Sequence, residues 1–499
     1  MKRNAIANYI TLVLVEIVTV CVGVLSRAVF LRKLGLETLG IAGLFSSVLA
    51  VLSLGNLGLP GGLGFAMTHA IAKNDKQRLG EIYLYAKKIF RIIQLILLIL
   101  SVALMPFLRW IVEKEIDGLY VYYAFFVTNV LLSYLSGPET ALYGADQNVR
   151  LISRIGLYAN LITTALQIVL LYVVSSYYLY LCIMLVGTAF NVIFVKIRFS
   201  MDYKYLKYAK GVISGDDKKF IINRVRTTLV AQIAGSAVGS TDNLAITKFV
   251  GLAEVGIYNN YMLIANNLRS FAKNAFESVK SGVMQKNVNS GVEEKNAYYE
   301  ILLHAFHLMG AFLTCCMYCL IQEFCTLVFG RMLDMSVVTV IALDLYIKMM
   351  SYAQSCCINT SSLYDNVRVS TCIGAGINVA LSIILGLKCG IFGIVLATVI
   401  SRVVCTYPYN LYLIYKKYLN KNIWEGVVLN LKCIIQFLLI SGVTYIGVSF
   451  FAVESIPMWI LKGFLTAAVT AGLLLALNYN NICIKMVVSF AKSKLKRDT

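Results

Sequence analysis

The sequence predicts an all-α, polytopic membrane protein with about 14 transmembrane helices, arranged as two six-helix lobes plus two accessory C-terminal helices. Three observations support this fold class: an apolar composition, a regular succession of long apolar runs, and an internal repeat. Of the 499 residues, 59% are hydrophobic and 14% are charged, and the mean hydropathy is +0.75. A water-soluble chain of this length needs far more polar surface to cover its core. We therefore expect lipid to surround most of the chain.

The apolar runs are long enough to be read as individual spans. A spanning helix needs about 20 apolar residues. The runs that meet this length, to within a few residues, are 5–31, 36–71, 83–108, 119–143, 151–175, 178–199, 222–250, 255–284, 301–329, 336–363, 369–385, 391–415, 427–451 and 458–478.

The orientation follows from the basic residues. Lysines and arginines concentrate in 73–78, 196–226, 416–421 and 492–497, whereas 113–117 is mostly acidic. Basic residues favour the cytoplasmic side, which also accounts for the net charge of +20 without nucleic acid. An even number of spans places both termini in the cytoplasm. We expect a multi-pass protein of the inner (cytoplasmic) membrane, in contact with membrane lipid and not with nucleic acid.

The chain divides most naturally at a polar stretch. Residues 200–221 are the longest soluble piece and are too short for a domain. Tyr203, Tyr205 and Tyr208 alternate with lysines there, a pattern that predicts a helix lying at the lipid interface. The predicted organisation is an N-terminal lobe (1–199), a cytoplasmic linker (200–221), a C-terminal lobe (222–417), and two accessory helices with a basic tail (418–499).

A short repeat relates the two lobes. Residues 34–41 (LGLETLGI) match residues 250–257 (VGLAEVGI), with Gly35 and Gly251 at equivalent positions. Glycine is common where a helix ends and the chain reverses. Since each copy contains an even number of spans, both copies run the same way, which predicts two bundles related by a pseudo-two-fold axis along the membrane normal. A cleft between such bundles would suit alternating access.

These residues also carry a family resemblance. The motif Ser240-Thr241-Asp242-Asn243, the continuation through 248–261 (KFVGLAEVGIYNNY) and the segment 52–59 (LSLGNLGL) resemble the bacterial polysaccharide flippases of the multidrug/oligosaccharidyl-lipid/polysaccharide exporter superfamily. The resemblance implies a flippase that moves undecaprenyl-pyrophosphate-linked oligosaccharide from the cytoplasmic to the periplasmic leaflet for cell-surface polysaccharide biosynthesis. Polysaccharide polymerase and assembly proteins are its implied partners.

Basic residues inside the spans are the candidate substrate ligands. A charge buried in a membrane is costly and marks a functional site by default. Arginine also offers a fork that fits phosphate oxygens. The candidates are Arg269 and Lys273, which share one helix face, and Lys348, Arg402 and Arg27. The alternatives are pairing with a buried acid such as Glu277, and snorkelling of Arg27 to the interface.

Acidic residues and glycines supply two further roles. Glu16 and Asp242 could bind the H+ or Na+ that drives transport, and a structural ion pair is the alternative reading of both. Glycines and a proline interrupt the second span, so Gly58, Pro60 and Gly61 are predicted to form a hinge. Close packing through small residues is the alternative there.

Other chemistry finds no support in the sequence. Of the 13 cysteines, most lie in apolar runs without a second pair at zinc spacing, so no metal is expected. No phosphate-binding loop or hydrolase motif is present, so we expect no cofactor and no enzyme activity. Three rivals remain: a multidrug or small-cation antiporter of the same superfamily, a membrane polysaccharide polymerase or ligase, and a non-transporting scaffold for a glycan assembly complex. The basic spans oppose the first rival and the short outer loops oppose the second.

Overall fold

The computed structural model describes residues 2–52, 55–112, 115–146, 148–289, 291–359 and 363–479. Within these ranges the chain is almost wholly helical and contains no strand, which confirms the predicted all-α class. Eight of the described helices are long and apolar enough to cross a membrane, and a bent pair makes a ninth. Because helices satisfy their own backbone in lipid, this is the architecture of a multi-pass membrane protein.

Fifteen α-helices lie in the described ranges. In chain order they are α1 (Lys2–Leu52), α2 (Gly55–Ala72), α3 (Lys76–Ile111), α4 (Leu119–Tyr134), α5 (Gly137–Ala145), α6 (Val149–Val173), α7 (Tyr177–Asp202), α8 (Gly215–Phe249), α9 (Leu252–Asn289), α10 (Val292–Phe329), α11 (Met335–Asn359), α12 (Tyr364–Ser401), α13 (Tyr407–Tyr412), α14 (Ile423–Ser449) and α15 (Ile456–Leu477).

The chain forms two compact units, residues 1–256 and 257–499. In the first, Phe45 is fully buried and its ring contacts Tyr123 at 5.3 Å between centroids. In the second, the rings of Tyr346 on α11 and Phe437 on α14 stack at 4.0 Å. Such aromatic pairs stabilise beyond their buried area. The predicted lobe boundaries stay a prediction.

An ion pair fastens α15 to α10 within the second unit. The Lys462 ammonium donates to Glu323 Oε1 at 2.6 Å, and the Trp459 indole donates to the Leu320 carbonyl at 3.0 Å. Lys462 is buried, so its charge is held by this contact rather than by water. The helix predicted to be accessory is thus anchored by polar groups as well as by apolar packing.

Left-handed backbone marks equivalent turns of the two repeats. Non-helical φ values of this kind suit glycine and strain most other residues. The three pairs are separated by nearly the same number of residues: Gly35 (φ 83°) with Gly251 (φ 139°), Gly118 (φ 78°) with Gly330 (φ 69°), and Ser175 (φ 49°) with Gly390 (φ 57°). The repeat found at one turn in the sequence therefore extends through three turns of the backbone.

The repeated glycines also meet each other in a reciprocal contact inside the first unit. A Cβ on Gly40 would lie 1.9 Å from the carbonyl oxygen of Leu252, and a Cβ on Gly256 would lie 2.8 Å from the carbonyl oxygen of Leu36. Leu36 and Leu252, like Gly40 and Gly256, are equivalent positions of the repeat. The contact is thus two-fold in form, because each copy offers the same glycine to the same carbonyl of the other.

The predicted interfacial helix in the linker is wrong. Residues 204–208 make a single short 3₁₀ turn, and α8 begins at Gly215, inside the stretch predicted to be linker. The tyrosine pattern was misread because Tyr203 is buried and donates to Asp146 Oδ2 at 2.6 Å, instead of facing lipid. Leu206 is buried beside Tyr203, so this segment packs against helices of the first unit.

The course of the helices differs from the prediction at two places. The run 119–143 is bent by 43° between α4 and α5, because Pro138 begins a new helix there. The runs 369–385 and 391–415 are joined, because α12 continues from the first into the second with a break at Gly390, where φ is positive. Apolar length predicts that a span exists, but it does not carry information about a bend inside the span.

Candidate functional site

Four of the predicted basic residues lie around or beside one buried acid in the second unit. Asp344 sits on α11, Arg269 on α9, and Arg402 at the end of α12. Asp344 is 5% exposed and lies in the middle of an apolar helix, where an ionised group requires partners. Three separate stretches of chain therefore converge on this carboxylate.

The two carboxylate oxygens of Asp344 are divided between two arginines. Arg269 Nη2 donates to Oδ2, and Arg402 Nη1 donates to Oδ1. Arg402 Nη1 also lies 3.3 Å from the backbone carbonyl of Asp344. Both oxygens are thus used, and the carboxylate can offset one positive charge of the two. The guanidinium side chains remain 21% and 17% exposed, so each keeps a face available to another partner.

Neighbouring polar groups hold Arg269 in position. Arg269 Nη1 donates to Asn266 Oδ1 at 3.0 Å, one turn earlier on α9. The Tyr352 hydroxyl lies 3.5 Å from the Arg269 carbonyl oxygen. Arg269 Nε is buried and has no hydrogen-bond partner among the described residues. The side chain is therefore fixed by its head group, while one donor is left unused.

Lys348 and Lys273 add charge to the same region. Lys348 follows Asp344 by four residues on α11, so the two share one face of the helix. It is half-buried and makes no ion pair within the described part of the chain. Lys273 follows Arg269 by one turn on α9 and is exposed. The cluster of Arg269, Lys348, Arg402 and Asp344, here called the Asp344 cluster, carries three cations and one carboxylate.

The backbone changes its winding where Arg402 is presented. Residues 402–406 form a π-helical turn, in which the Tyr407 amide bonds to the Arg402 carbonyl. Pro408 follows directly, at the second position of α13, and has no amide proton to continue the α-helical pattern. Widened turns of this kind occur often at functional sites, and here the proline supplies a local reason for it.

The remaining predicted site residues lie elsewhere. Arg27 is half-buried on α1 and Asp242 is 4% exposed on α8, both in the first unit. Next to Asp242, the Asn243 amide donates to Ser47 Oγ at 2.7 Å, which joins α8 to α1. The predicted hinge lies in α2, which is helical through 55–72. The side chains of Glu16 and Pro60 lie outside the described residues, as do those around the hinge glycines Gly58 and Gly61. The roles of all these residues stay predictions.

Sequence reasoning missed the acid at the centre. Glu277 was the example given for the alternative of a buried ion pair, and its side chain lies outside the described residues. The acid that Arg269 contacts is Asp344. A signal was available, because Asp344 interrupts an apolar run and precedes Lys348 by one helical turn. Its pairing with two distant arginines was not readable, since it depends on how three helices meet.

Solved structures share this fold. The lipid II flippase MurJ, in an inward closed conformation, aligns with a TM-score of 0.64 over 94% of this chain and 99% of that chain, at 14% identity. An inward-facing multidrug resistance MATE family transporter aligns with a TM-score of 0.58 over 77% and 92%, at 14% identity. A MOP superfamily transporter from Pyrococcus furiosus, described as having a binding pocket of reverse polarity, aligns with 0.55 over 79% and 92%, at 14% identity.

The similarity is one of structure. No protein-family model and no curated protein sequence matches the chain. Identities of 14% with the three structures show a shared architecture and leave the substrate open. This chain has the fold of the MOP superfamily transporters.

Proposed function

We propose that this protein is a secondary-active flippase for an undecaprenyl-pyrophosphate-linked oligosaccharide, moving it to the outer leaflet of the cytoplasmic membrane by alternating access. The single observation that carries the proposal is the excess of cations over carboxylates in the Asp344 cluster. Positive charge in a membrane-embedded helix needs an anion or water as partner. A pyrophosphate is an anion whose oxygens fit the arginine fork.

The shared fold supports transport and the charge supports the substrate class. One solved relative in fold is a lipid II flippase, and others are MATE family multidrug transporters. The fold therefore suits both a lipid-linked substrate and a drug. A carrier of small cations would need a site with net negative charge, whereas the described cluster has one acid among three bases. The antiporter is thus the second candidate function: the shared fold favours it, and the net positive charge of the Asp344 cluster opposes it.

Lys348 offers the sharpest test of the site. Since it makes no ion pair among the described residues, Lys348→Gln removes a charge without leaving a buried carboxylate alone. A charge-assisted hydrogen bond contributes about 1.5–3 kcal/mol, so we expect translocation at low substrate concentration to fall by about 10- to 100-fold. Arg269→Lys should retain part of the activity, because it keeps the charge and loses the fork.

The assay is translocation of an undecaprenyl-pyrophosphate-linked glycan by the full chain in proteoliposomes. Lys388→Gln, an exposed lysine on α12, is the matched control and should behave as the wild type. Full translocation by well-folded Lys348→Gln would exclude the Asp344 cluster as the substrate site. Export of cationic dyes with no movement of the glycan lipid would establish the antiporter instead.

The coupling ion is part of the same proposal. We assign it to H+ or Na+, with Asp242 and Glu16 as the carboxylates that bind it, because Asp242 is buried on a helix that contacts α1. Imposing a pH gradient and a Na+ gradient separately across the proteoliposomes distinguishes the two ions. Asp242→Asn should abolish the response to the driving gradient, and an unchanged response would exclude Asp242.

A further inference from the structure

A second cationic site lies in the first unit, away from the Asp344 cluster. A cavity of about 340 Å³ opens between α3, α5 and α7, with further walls from the end of α4 and from Tyr203. Its cations are Lys87 and Arg91 on α3 and Lys196 on α7. Lys87 and Arg91 are one turn apart, so they stand on one face of the helix. The proposed function uses none of these residues.

The wall of this cavity combines apolar side chains with an ordered set of polar ones. Glu139, 5% exposed, lines it and accepts a hydrogen bond from the Tyr83 hydroxyl at 2.8 Å. The Lys87 ammonium lies 4.5 Å from the centre of the Tyr83 ring, which orients it toward the cavity by a cation–π contact. Among the described residues, no carboxylate lies within ion-pair distance of Lys87, Arg91 or Lys196. Three cations therefore face the cavity with one acid among them.

The depth of the cavity along the helix identifies the kind of ligand. Exposed apolar side chains on α3 begin at Ile92 and end at Trp110. At 1.5 Å per residue this band is about 27 Å long, close to the hydrocarbon thickness of about 30 Å. Lys87 and Arg91 lie just beyond its edge, at the depth of lipid head groups. The rim is completed by Leu135, which is 41% exposed and apolar.

We propose that this cavity binds the phosphodiester head group of an anionic membrane phospholipid. Three cations and one carboxylate leave the cavity with net positive charge, which suits an anionic head group. Arg91 offers two donors to phosphate oxygens, and Lys87 and Lys196 supply point charges. The apolar surface that begins at Ile92 receives the acyl chains. This site does not rest on the proposed transport function.

Binding of phosphatidylglycerol to the purified full-length protein tests the proposal. Native mass spectrometry and thermal shift during titration with phosphatidylglycerol, against phosphatidylcholine as reference, give the apparent affinity. We expect the double variant Lys87→Gln, Arg91→Gln to bind phosphatidylglycerol about tenfold or more weakly than wild type. Lys88→Gln is the matched control, because Lys88 is exposed on the same helix and does not line the cavity.

The outcomes separate the sources of phosphate. Weaker binding in the double variant, with Lys88→Gln at the wild-type level and equal melting temperatures in phosphatidylcholine, supports the site. Equal affinity of the double variant and wild type would overturn it. Stabilisation by millimolar inorganic phosphate equal to that by phosphatidylglycerol would overturn the lipid assignment. Displacement of phosphatidylglycerol by undecaprenyl pyrophosphate at lower concentration would assign the site to that lipid and overturn the phosphodiester.

Discussion

The carboxylate of Asp344 holds two arginines that would otherwise repel each other. We expect Asp344→Asn to destabilise the protein, because it leaves the guanidiniums of Arg269 and Arg402 without their counter-charge. Breaking a buried ion pair from one side costs about 3–5 kcal/mol, and the partial exposure of both arginines places this case toward the lower value.

The measurement is the thermal unfolding midpoint in a fixed detergent. Asp334→Asn is the control, since Asp334 is exposed in the same unit and should change the midpoint little. Equal midpoints for Asp344→Asn and wild type would show that water, rather than Asp344, stabilises the arginines.

A second ion pair should make stability depend on pH. Arg78 donates to both oxygens of Asp217, at 2.9 and 2.5 Å, and this hydrogen bonding holds the pKa of Asp217 below its ordinary value. A carboxylate with a lowered pKa stabilises the fold above its unfolded pKa of about 3.9, and that contribution is lost as the pH falls through the folded value.

The pair is partly exposed, so its contribution at neutral pH is about 1 kcal/mol. We expect Asp217→Asn to unfold at lower temperature than wild type at pH 7, and the difference to shrink as the pH falls below about 4 and to vanish below the folded pKa. A difference that stays constant down to pH 3 would show that the charge of Asp217 does not carry the effect.

At this scale the sequence identified the bases and missed the acid. Arg269, Lys348 and Arg402 could be selected because charge inside an apolar run is visible in one dimension. Which bases share a carboxylate depends on the rotation of three helices about their axes, and no local pattern encodes that. Asp344 was overlooked although it met the same criterion as the bases.

At the scale of elements, the reciprocal glycine contact gives the most direct prediction. Gly40→Ala would place a methyl group 1.9 Å from the Leu252 carbonyl oxygen, and Gly256→Ala one 2.8 Å from the Leu36 carbonyl oxygen. The backbone must move to relieve the shorter contact, so we expect Gly40→Ala to lower the free energy of unfolding by at least about 2 kcal/mol. Gly256→Ala should lower it by less.

The double variant should cost less than the sum of the two, because one displacement relieves both clashes. Gly23→Ala on α1 is the control, since its Cβ would meet no atom within 4 Å. The measurement is the thermal midpoint of the wild type and of these four variants, and a Gly40→Ala midpoint equal to that of Gly23→Ala would contradict the contact.

Elements were predictable from the sequence to different degrees. The spans could be predicted because lipid requires long apolar helices. The turn at Gly35 and Gly251 could be found because the residues themselves repeat. The turn at Ser175 and Gly390 could not, because there the two copies share a backbone conformation and not a residue type. The prediction of an interfacial helix in the linker failed because the spacing of its tyrosines looks amphipathic in the sequence, whether the tyrosines face lipid or protein.

At the scale of the whole molecule, the orientation in the membrane is open to a direct test. Lys204 follows α7 and Ser175 lies in the turn between α6 and α7, so the two positions are at opposite ends of one helix. We expect a membrane-impermeant maleimide to label Ser175→Cys in intact cells and Lys204→Cys after permeabilisation, because lysines and arginines cluster at the Lys204 end.

Wild type corrects for labelling of the native cysteines. Reaction of Lys204→Cys from outside, with Ser175→Cys protected, would reverse the orientation. Lys114 and Lys494 give the same prediction, outside and inside respectively, for positions beyond the described residues.

The two-fold form of the glycine contact has a consequence for the ancestry of the chain. An isologous contact is what two identical subunits make when each presents the same patch to the other. Here Gly40 faces Leu252 while Gly256 faces Leu36, so one chain contains the interface of a dimer. If each copy has the predicted six spans, its two ends lie on one side of the membrane, and duplication and fusion of a six-helix ancestor would join two such subunits without inverting either.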